Sequence, residues 1–329
     1  MDGMRGNKIV KVLKDEILTS ISPRIGEIIM SAPIEYINKL EEIRIRLGKP
    51  LMINCGRSDY MLSPKGRIPG SIKDAYIVSK DDCERTIQLL SNYSVYSLEE
   101  ELKCGYITLQ GGHRVGIAGK GIIEGGKIKA LKNISGFNIR IARQVIGAAD
   151  SVMKYIMKKD DIYNTIIISP PQCGKTTLLR DMIRQISSGN EKAGIKGLKV
   201  SLVDERSEVA GCYLGIPQND VGIRTDILDA CPKSAGLIMM IRSMSPQVLA
   251  TDEIGSIDDI KAIYEAMNAG IRMVTTIHGD GIDDVLKRPY IDDVIKNRIF
   301  ERIIILSSKH GPGTIEDVID GRDLKSIID

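Results

Sequence analysis

At 329 residues, with 43% apolar and 27% charged residues, the chain has the composition of a soluble globular protein with room for two domains, and is neither disordered nor fibrous. A net charge of +3 and an aromatic content of 4%, with no Trp and two Phe, give a polyanion little to bind and bases few platforms to stack on, which argues against nucleic acid. Cys55, Cys83, Cys104, Cys173, Cys212 and Cys231 form no CxxC pair, so reduced thiols of a cytosolic protein are expected rather than a zinc site or disulfides. No apolar run approaches the roughly 18 residues that span a bilayer, and no signal-peptide block opens the chain.

Residues 7 to 30 place Ile9, Val12, Leu13, Ile17 and Ile21 at helical spacing opposite Lys8, Lys11, Lys14 and Asp15, which predicts one amphipathic helix packed on its own domain. Ile43-Arg44-Ile45-Arg46-Leu47, then Gly48-Lys49-Pro50, then Leu51-Met52-Ile53-Asn54 read as strand, turn and strand. A helix is expected over 80–92 with Ser79 as its N-cap. Glycine-rich strands follow at 106–109, 111–119 and 136–143, where the glycines mark turns and bulges because no Gly-Lys-Thr accompanies them. These elements make a small α+β domain over 1–144. In the second domain, 145–329, a linker at 145–149 and a helix to about 158 lead into alternating strands and helices. Strands are expected at 164–168, 200–203, 247–251, 272–276 and 302–306, and helices near 176–187, 234–244 and 256–268. That alternation predicts an α/β domain whose mostly parallel sheet is covered on both faces.

The stretch from Asn164 to Leu179 carries the chemistry. A β-branched run ends in Ser169-Pro170-Pro171-Gln172-Cys173-Gly174-Lys175-Thr176-Thr177, and a helix-forming segment follows. Backbone amides between Pro171 and Thr177, with the positive end of the helix, make a nest for the phosphates of ATP. Gly174 lets the backbone approach, Lys175 reaches the terminal phosphates, and the Thr176 hydroxyl is placed to ligate Mg²⁺. Ser169 stands where the motif begins with Gly, so an altered loop is expected there.

Ligands of open parallel sheets bind at the carboxyl ends of the strands. Three polar clusters fall at such ends. Val248-Leu249-Ala250-Thr251-Asp252-Glu253 offers Asp252 to Mg²⁺ through water and Glu253 to the attacking water. Asp204-Glu205-Arg206-Ser207-Glu208 supplies acids for positioning metal and water. Thr275-Thr276-Ile277-His278 ends in an imidazole that either senses the γ-phosphate or is structural. A guanidinium for the transition state, often brought by a neighbouring subunit, has Arg114, Arg140, Arg143 and Arg224 as candidates, each of which is otherwise an ordinary surface Arg.

In this order, the phosphate loop, the acidic box, Asp252-Glu253 and Thr-Thr-Ile-His resemble the motor ATPases of bacterial secretion and type IV pilus systems, and in particular a sporulation-associated branch of them. Gly-Ile-Pro-Gln-Asn-Asp-Val-Gly-Ile-Arg-Thr-Asp at 215–226, Cys-Pro-Lys at 231–233, Ile-Arg-Ser-Met-Ser-Pro at 241–246 and Glu-Glu-Ile-Arg-Ile-Arg-Leu-Gly-Lys-Pro-Leu at 41–51 extend the likeness over most of the chain. The resemblance implies a RecA-like ATPase domain, a homo-hexamer, and Glu205, Glu253 and His278 as the acids and histidine of its boxes. It also implies an Arg such as Arg140 or Arg224 reaching the phosphates on closure, and a peripheral enzyme on the mother-cell side that energises a sporulation channel of integral membrane partners. Two readings of another class stay open on the residues: a nucleic-acid-dependent RecA-like ATPase, and a nucleotide-gated scaffold without turnover.

Overall fold

The protein, seen in a computed structural model, is described over residues 9–56, 58–92, 105–190 and 195–328, so Lys8 and Cys104 lie outside the described residues. It divides into two compact units, Met1–Arg143 and Gln144–Asp329.

The first unit is built on six antiparallel strands: β1 (Leu40–Arg46), β2 (Met52–Cys55), β3 (Ser58–Met61), β4 (Tyr106–Thr108), β5 (Arg114–Glu124) and β6 (Lys127–Arg140), ordered β3-β2-β1-β6-β5-β4. Period-2 alternation buries Ile43, Ile45, Ile53, Val115 and Ile139 in one core, while Arg44 and Arg46 fall on the wetter face. The expected single helix over 7–30 is broken. A π-helical turn (Leu13–Ile17) and a 3₁₀ turn (Leu18–Ser20) precede a separate helix, Pro23–Met30. Pro23 is the cause: it sits at the first helical position, and the residue before a proline is driven out of the helical region, so Ser22 is extended. Leu13, Ile17 and Ile21 are nonetheless fully buried in the core. The Lys80–Leu90 helix starts at Ser79 with a reciprocal capping box to Asp82.

The second unit holds β7 (Thr165–Ser169), a small hairpin of β8 (Gly189–Asn190) and β9 (Ile195–Lys196), then β10 (Val200–Asp204), β11 (Thr225–Asp229), β12 (Val248–Glu253), β13 (Arg272–His278), β14 (Arg302–Ser307), β15 (Thr314–Asp320) and β16 (Lys325–Ser326). Its main sheet runs β11-β10-β12-β13-β7-β14-β15-β16, parallel except for the last two strands. Successive residues feed two separate cores. Ile167, Leu202, Ala250 and Val274 pack beneath the Lys175–Ser188 helix, whereas Ile166, Ile168, Val203, Leu249 and Met273 pack beneath the Lys233–Met244 and Ile257–Asn268 helices. A sheet covered on both faces reads as continuous apolar strands, which β7, β10 and β13 show. β11, β15 and β16 are additional to the expected strands; β11 and β15 mix acids with a few apolar residues because they lie towards the sheet's margins.

Candidate functional site

β7 ends at Ser169, which lies in register beside His278 of the neighbouring β13. Ser169 is fully buried and remains extended strand, so the substitution for Gly leaves the loop's backbone undisturbed at that point. The left-handed conformations fall later, at Gln172 (φ 60°) and Gly174 (φ 87°). Gly174 is required twice over: its φ is costly for an L side chain, and a Cβ there would lie 2.9 Å from the backbone N of Gly313. The Gly313 N–H in turn donates to the Cys173 carbonyl at 2.8 Å, tying the loop to the turn before β15. Pro171 and Gln172 are exposed, Cys173 is buried, and Lys175, Thr176 and Thr177 are half-buried in the first helical turn. The first intrahelical bond runs from the Leu178 N–H to the Gly174 carbonyl, so the amides of residues 175–177 precede the ladder and face out of the helix end. That is an anion cradle with an ammonium and a hydroxyl at its rim.

Lys175, His278 and Glu253 form one chain. The Lys175 ammonium lies 2.6 Å from His278 Nδ1, and His278 Nε2 lies 3.0 Å from a Glu253 carboxylate oxygen. An ammonium only donates, so Nδ1 accepts; the imidazole proton therefore sits on Nε2 and is given to Glu253. Burial pushes the Lys175 ammonium below its ordinary range, Glu253 pulls it back, and the nearby cations Arg206 and Arg288 push it down further. A half-buried ammonium held below its ordinary range is favoured in its charged form by an anion brought beside it.

A β-bulge puts Glu253 there. β12 carries one extra residue against β13 between Ala250 and Glu253. Unbroken alternation would send Asp252 to Ala250's face, above the loop helix, and Glu253 to Leu249's. The extra residue inverts this, so Glu253 reaches His278 and Asp252 turns to Lys233. Asp252 Oδ1 lies 3.1 Å from the Lys233 ammonium, and Glu205 Oε2 lies 3.5 Å from it. Asp252, expected beside Mg²⁺, thus has an ammonium as its immediate neighbour. Its carboxyl is raised by burial and drawn part of the way back by Lys233.

Asp204, in the second acidic cluster, is a structural clamp. Fully buried, it accepts the backbone N–H groups of Glu208 (2.9 Å), Val209 (3.0 Å) and Ala210 (2.8 Å). The buried Arg180 of the loop helix donates to the carbonyls of Glu208 and Val209, so the segment after β10 is fastened to that helix. Arg224 is not brought to the phosphate loop. Its guanidinium donates to the carbonyls of Ser187 (3.0 Å) and Ser188 (3.3 Å), capping the opposite end of the loop helix. In the first unit Arg143 donates to the Leu40 carbonyl at 2.9 Å, Arg114 stacks 3.6 Å over Tyr106, and Arg140 is 68% exposed with Glu42 at 3.5 Å. Lys233, Arg206 and Arg288 escaped the sequence reading. A signal for Lys233 existed, since Pro232-Lys233 opens a helix with a cation where the dipole disfavours one.

A Gly-Lys-Thr loop between a central parallel strand and its helix, with acids and a histidine at the adjoining strand ends, belongs to a RecA-like α/β fold. The ATPase DotB of Legionella pneumophila (TM-score 0.54, 13% identity, 81% of this chain and 72% of that one) and the pilus retraction motor PilT with bound ADP (TM-score 0.54, 16% identity, 82% and 75%) share that fold. The family model for sporulation stage III, protein AA, matches residues 11–325. Stage III sporulation protein AA of Bacillus subtilis (strain 168) is 44% identical over 315 residues, 95% of each chain. The chain belongs to the sporulation stage III, protein AA, family.

Proposed function

We propose that this protein is an ATP-hydrolysing motor that assembles as a homo-hexamer and energises a sporulation channel of integral membrane partners from the mother-cell side. The observation that carries the reading is the Lys175–His278–Glu253 chain, which joins the phosphate loop to a carboxylate placed for general-base work. The cradle fits a triphosphate on its own geometry: outward amides at a helix start, Gly174 in a conformation that admits close approach, and a half-buried ammonium at the rim. Among the described residues no three or more His, Cys, Asp or Glu side chains gather as a metal centre, so Mg²⁺ would arrive with the nucleotide. Thr176 would then be its direct protein ligand, while Asp252, the other residue expected there, is held by Lys233. When bound, the ion would offset the negative charge of the phosphate oxygens.

The chain's own residues divide the remaining work. In the structure Lys175 rests on His278; turning to a phosphate frees Nδ1, so the imidazole registers whether the terminal phosphate is present. Glu253, held by Nε2–H, accepts the proton of the attacking water. Arg206 and Arg288 supply positive charge within the subunit, and the exposed Arg140 is the candidate for charge brought by another copy. No helix among the described residues is long and apolar enough to cross a membrane, so membrane contact is assigned to the partners.

Phosphate release by the wild type, Lys175→Ala and Glu253→Gln with Mg·ATP tests the reading. It expects turnover in the wild type, loss of binding in the first variant, and binding without turnover in the second. Unchanged phosphate release by Lys175→Ala would remove its basis, and full function of Glu253→Gln would favour a nucleotide-gated scaffold.

A further inference from the structure

Lys233 is a lysine in an adverse place. It is 7% exposed, it opens a helix whose positive end repels a cation, and a buried ammonium is costly unless it is paired. Its compensation is mostly ionic. The ammonium donates to the backbone carbonyl of Glu253 and forms ion pairs with Asp252 Oδ1 at 3.1 Å and Glu205 Oε2 at 3.5 Å, while the Lys233 amide donates to Glu205 Oε1 at 3.4 Å. One side chain thereby ties the end of β10 to the bulged end of β12. It grips the main chain of the residue whose carboxylate reaches His278.

We infer that Lys233 is a positioning residue: an internal ammonium that compensates Asp252 and Glu205 and, through the Glu253 carbonyl, aims the Glu253 carboxylate at the loop. Without it Asp252 and Glu205 would repel each other uncompensated, and the bulged strand end would lose its anchor. The catalytic half of this inference rests on the reading of Glu253 as the acid that activates water; the pairing itself does not.

The test uses the full chain and the variants Lys233→Met, Lys233→Arg, Asp252→Asn and Lys233→Met/Asp252→Asn, with three readouts. In urea unfolding, Lys233→Met destabilises, and Asp252→Asn in that background restores part of the loss; strictly additive effects would overturn the pairing. In the imidazole NMR signals, His278 shifts in Lys233→Met because Glu253 is re-aimed, whereas an unmoved signal would overturn the positioning role. In kinetics, kcat falls about 10²-fold in folded Lys233→Met, KM and the affinity for a non-hydrolysable ATP analogue stay within about threefold, and Lys233→Arg is intermediate. A wild-type kcat, or affinity falling in step with kcat, would contradict it. If the wild type does not hydrolyse ATP, the proposed function fails, while the unfolding cycle and the NMR signals still decide the role of Lys233.

Discussion

Asp82 of the first unit and the acids at the strand ends of the second are held in opposite ways, while Asp181 on the loop helix of the second unit is lowered as Asp82 is. In the first, Asp82 is 1% exposed and accepts from the Tyr76 hydroxyl (2.6 Å), the Ser79 N–H (2.9 Å) and hydroxyl (2.7 Å), and the Ser22 hydroxyl (2.9 Å). Burial would raise its carboxyl, yet these donors outweigh burial and hold it below the usual range. The same contact, after burial, helps push the Tyr76 phenol up to about 12. At the strand ends of the second unit Asp204, Asp229 and Asp252 are all held above the usual range, burial leading each time. There burial outweighs the donors: Asp204 stays high despite three amides, and Asp204 and Asp252 each also feel a neighbouring acid. Donors that outweigh burial make an ionised acid stabilising, whereas burial that outweighs its donors leaves the acid at a cost when ionised.

The strongest way to break this contrast is Glu253→Gln. It should lower kcat by about 10²–10⁴-fold while leaving the urea midpoint close to that of the wild type, since the amide keeps the side chain's shape and an acceptor for the His278 Nε2–H. Steady-state phosphate release and a denaturation curve on one preparation check both halves. Asp82→Ala is its mirror image. It strands four buried or half-buried donor groups and should cost the first unit about 3 kcal/mol, with nucleotide affinity unchanged, read by urea unfolding and an ATP-analogue titration. Gly174→Ala should cost about 1–3 kcal/mol through strain at φ 87° and displacement of Gly313, read as a lower melting temperature together with weaker analogue binding.

The smallest effect is the pH response, which has opposite signs at Asp82 and at the three strand-end acids of the second unit. Stabilisation from Asp82 is fully present above the ordinary carboxylate pKa, about 4, and is lost as pH falls through its lower folded value. Asp204, Asp229 and Asp252 have raised folded values, so their contribution is present at low pH and is lost as pH rises from about 4 through those values. Hydrogen exchange from pH 7 to 3 should therefore show the loop side of the second unit gaining protection on mild acidification, and the Ser79–Asp82 cap of the first losing it only below about pH 4.

Much of this was legible in the chain. The apolar runs of β7, β10, β12 and β13 are plain because a two-sided burial demands them, and the strand, Gly-bearing turn and helix order around Gly174 is plain for the same local reasons. The helix over 7–30 misled because an apolar stripe persists across Pro23 while the backbone cannot. The bulge in β12 left no mark: Thr251-Asp252-Glu253 reads as regular strand, and only the extra residue against β13 shows which acid faces which helix. Lys233 was missed for a related reason. Its acids lie 28 and 19 positions away along the chain, a juxtaposition made by sheet order and not by local pattern.

The most direct measurement is calorimetric titration of Mg·ATP into the full chain, wild type against Lys175→Ala. The account predicts one site per chain in the wild type and affinity weaker by about 10²-fold in the variant. Equal affinities, or no heat of binding in the wild type, would contradict it.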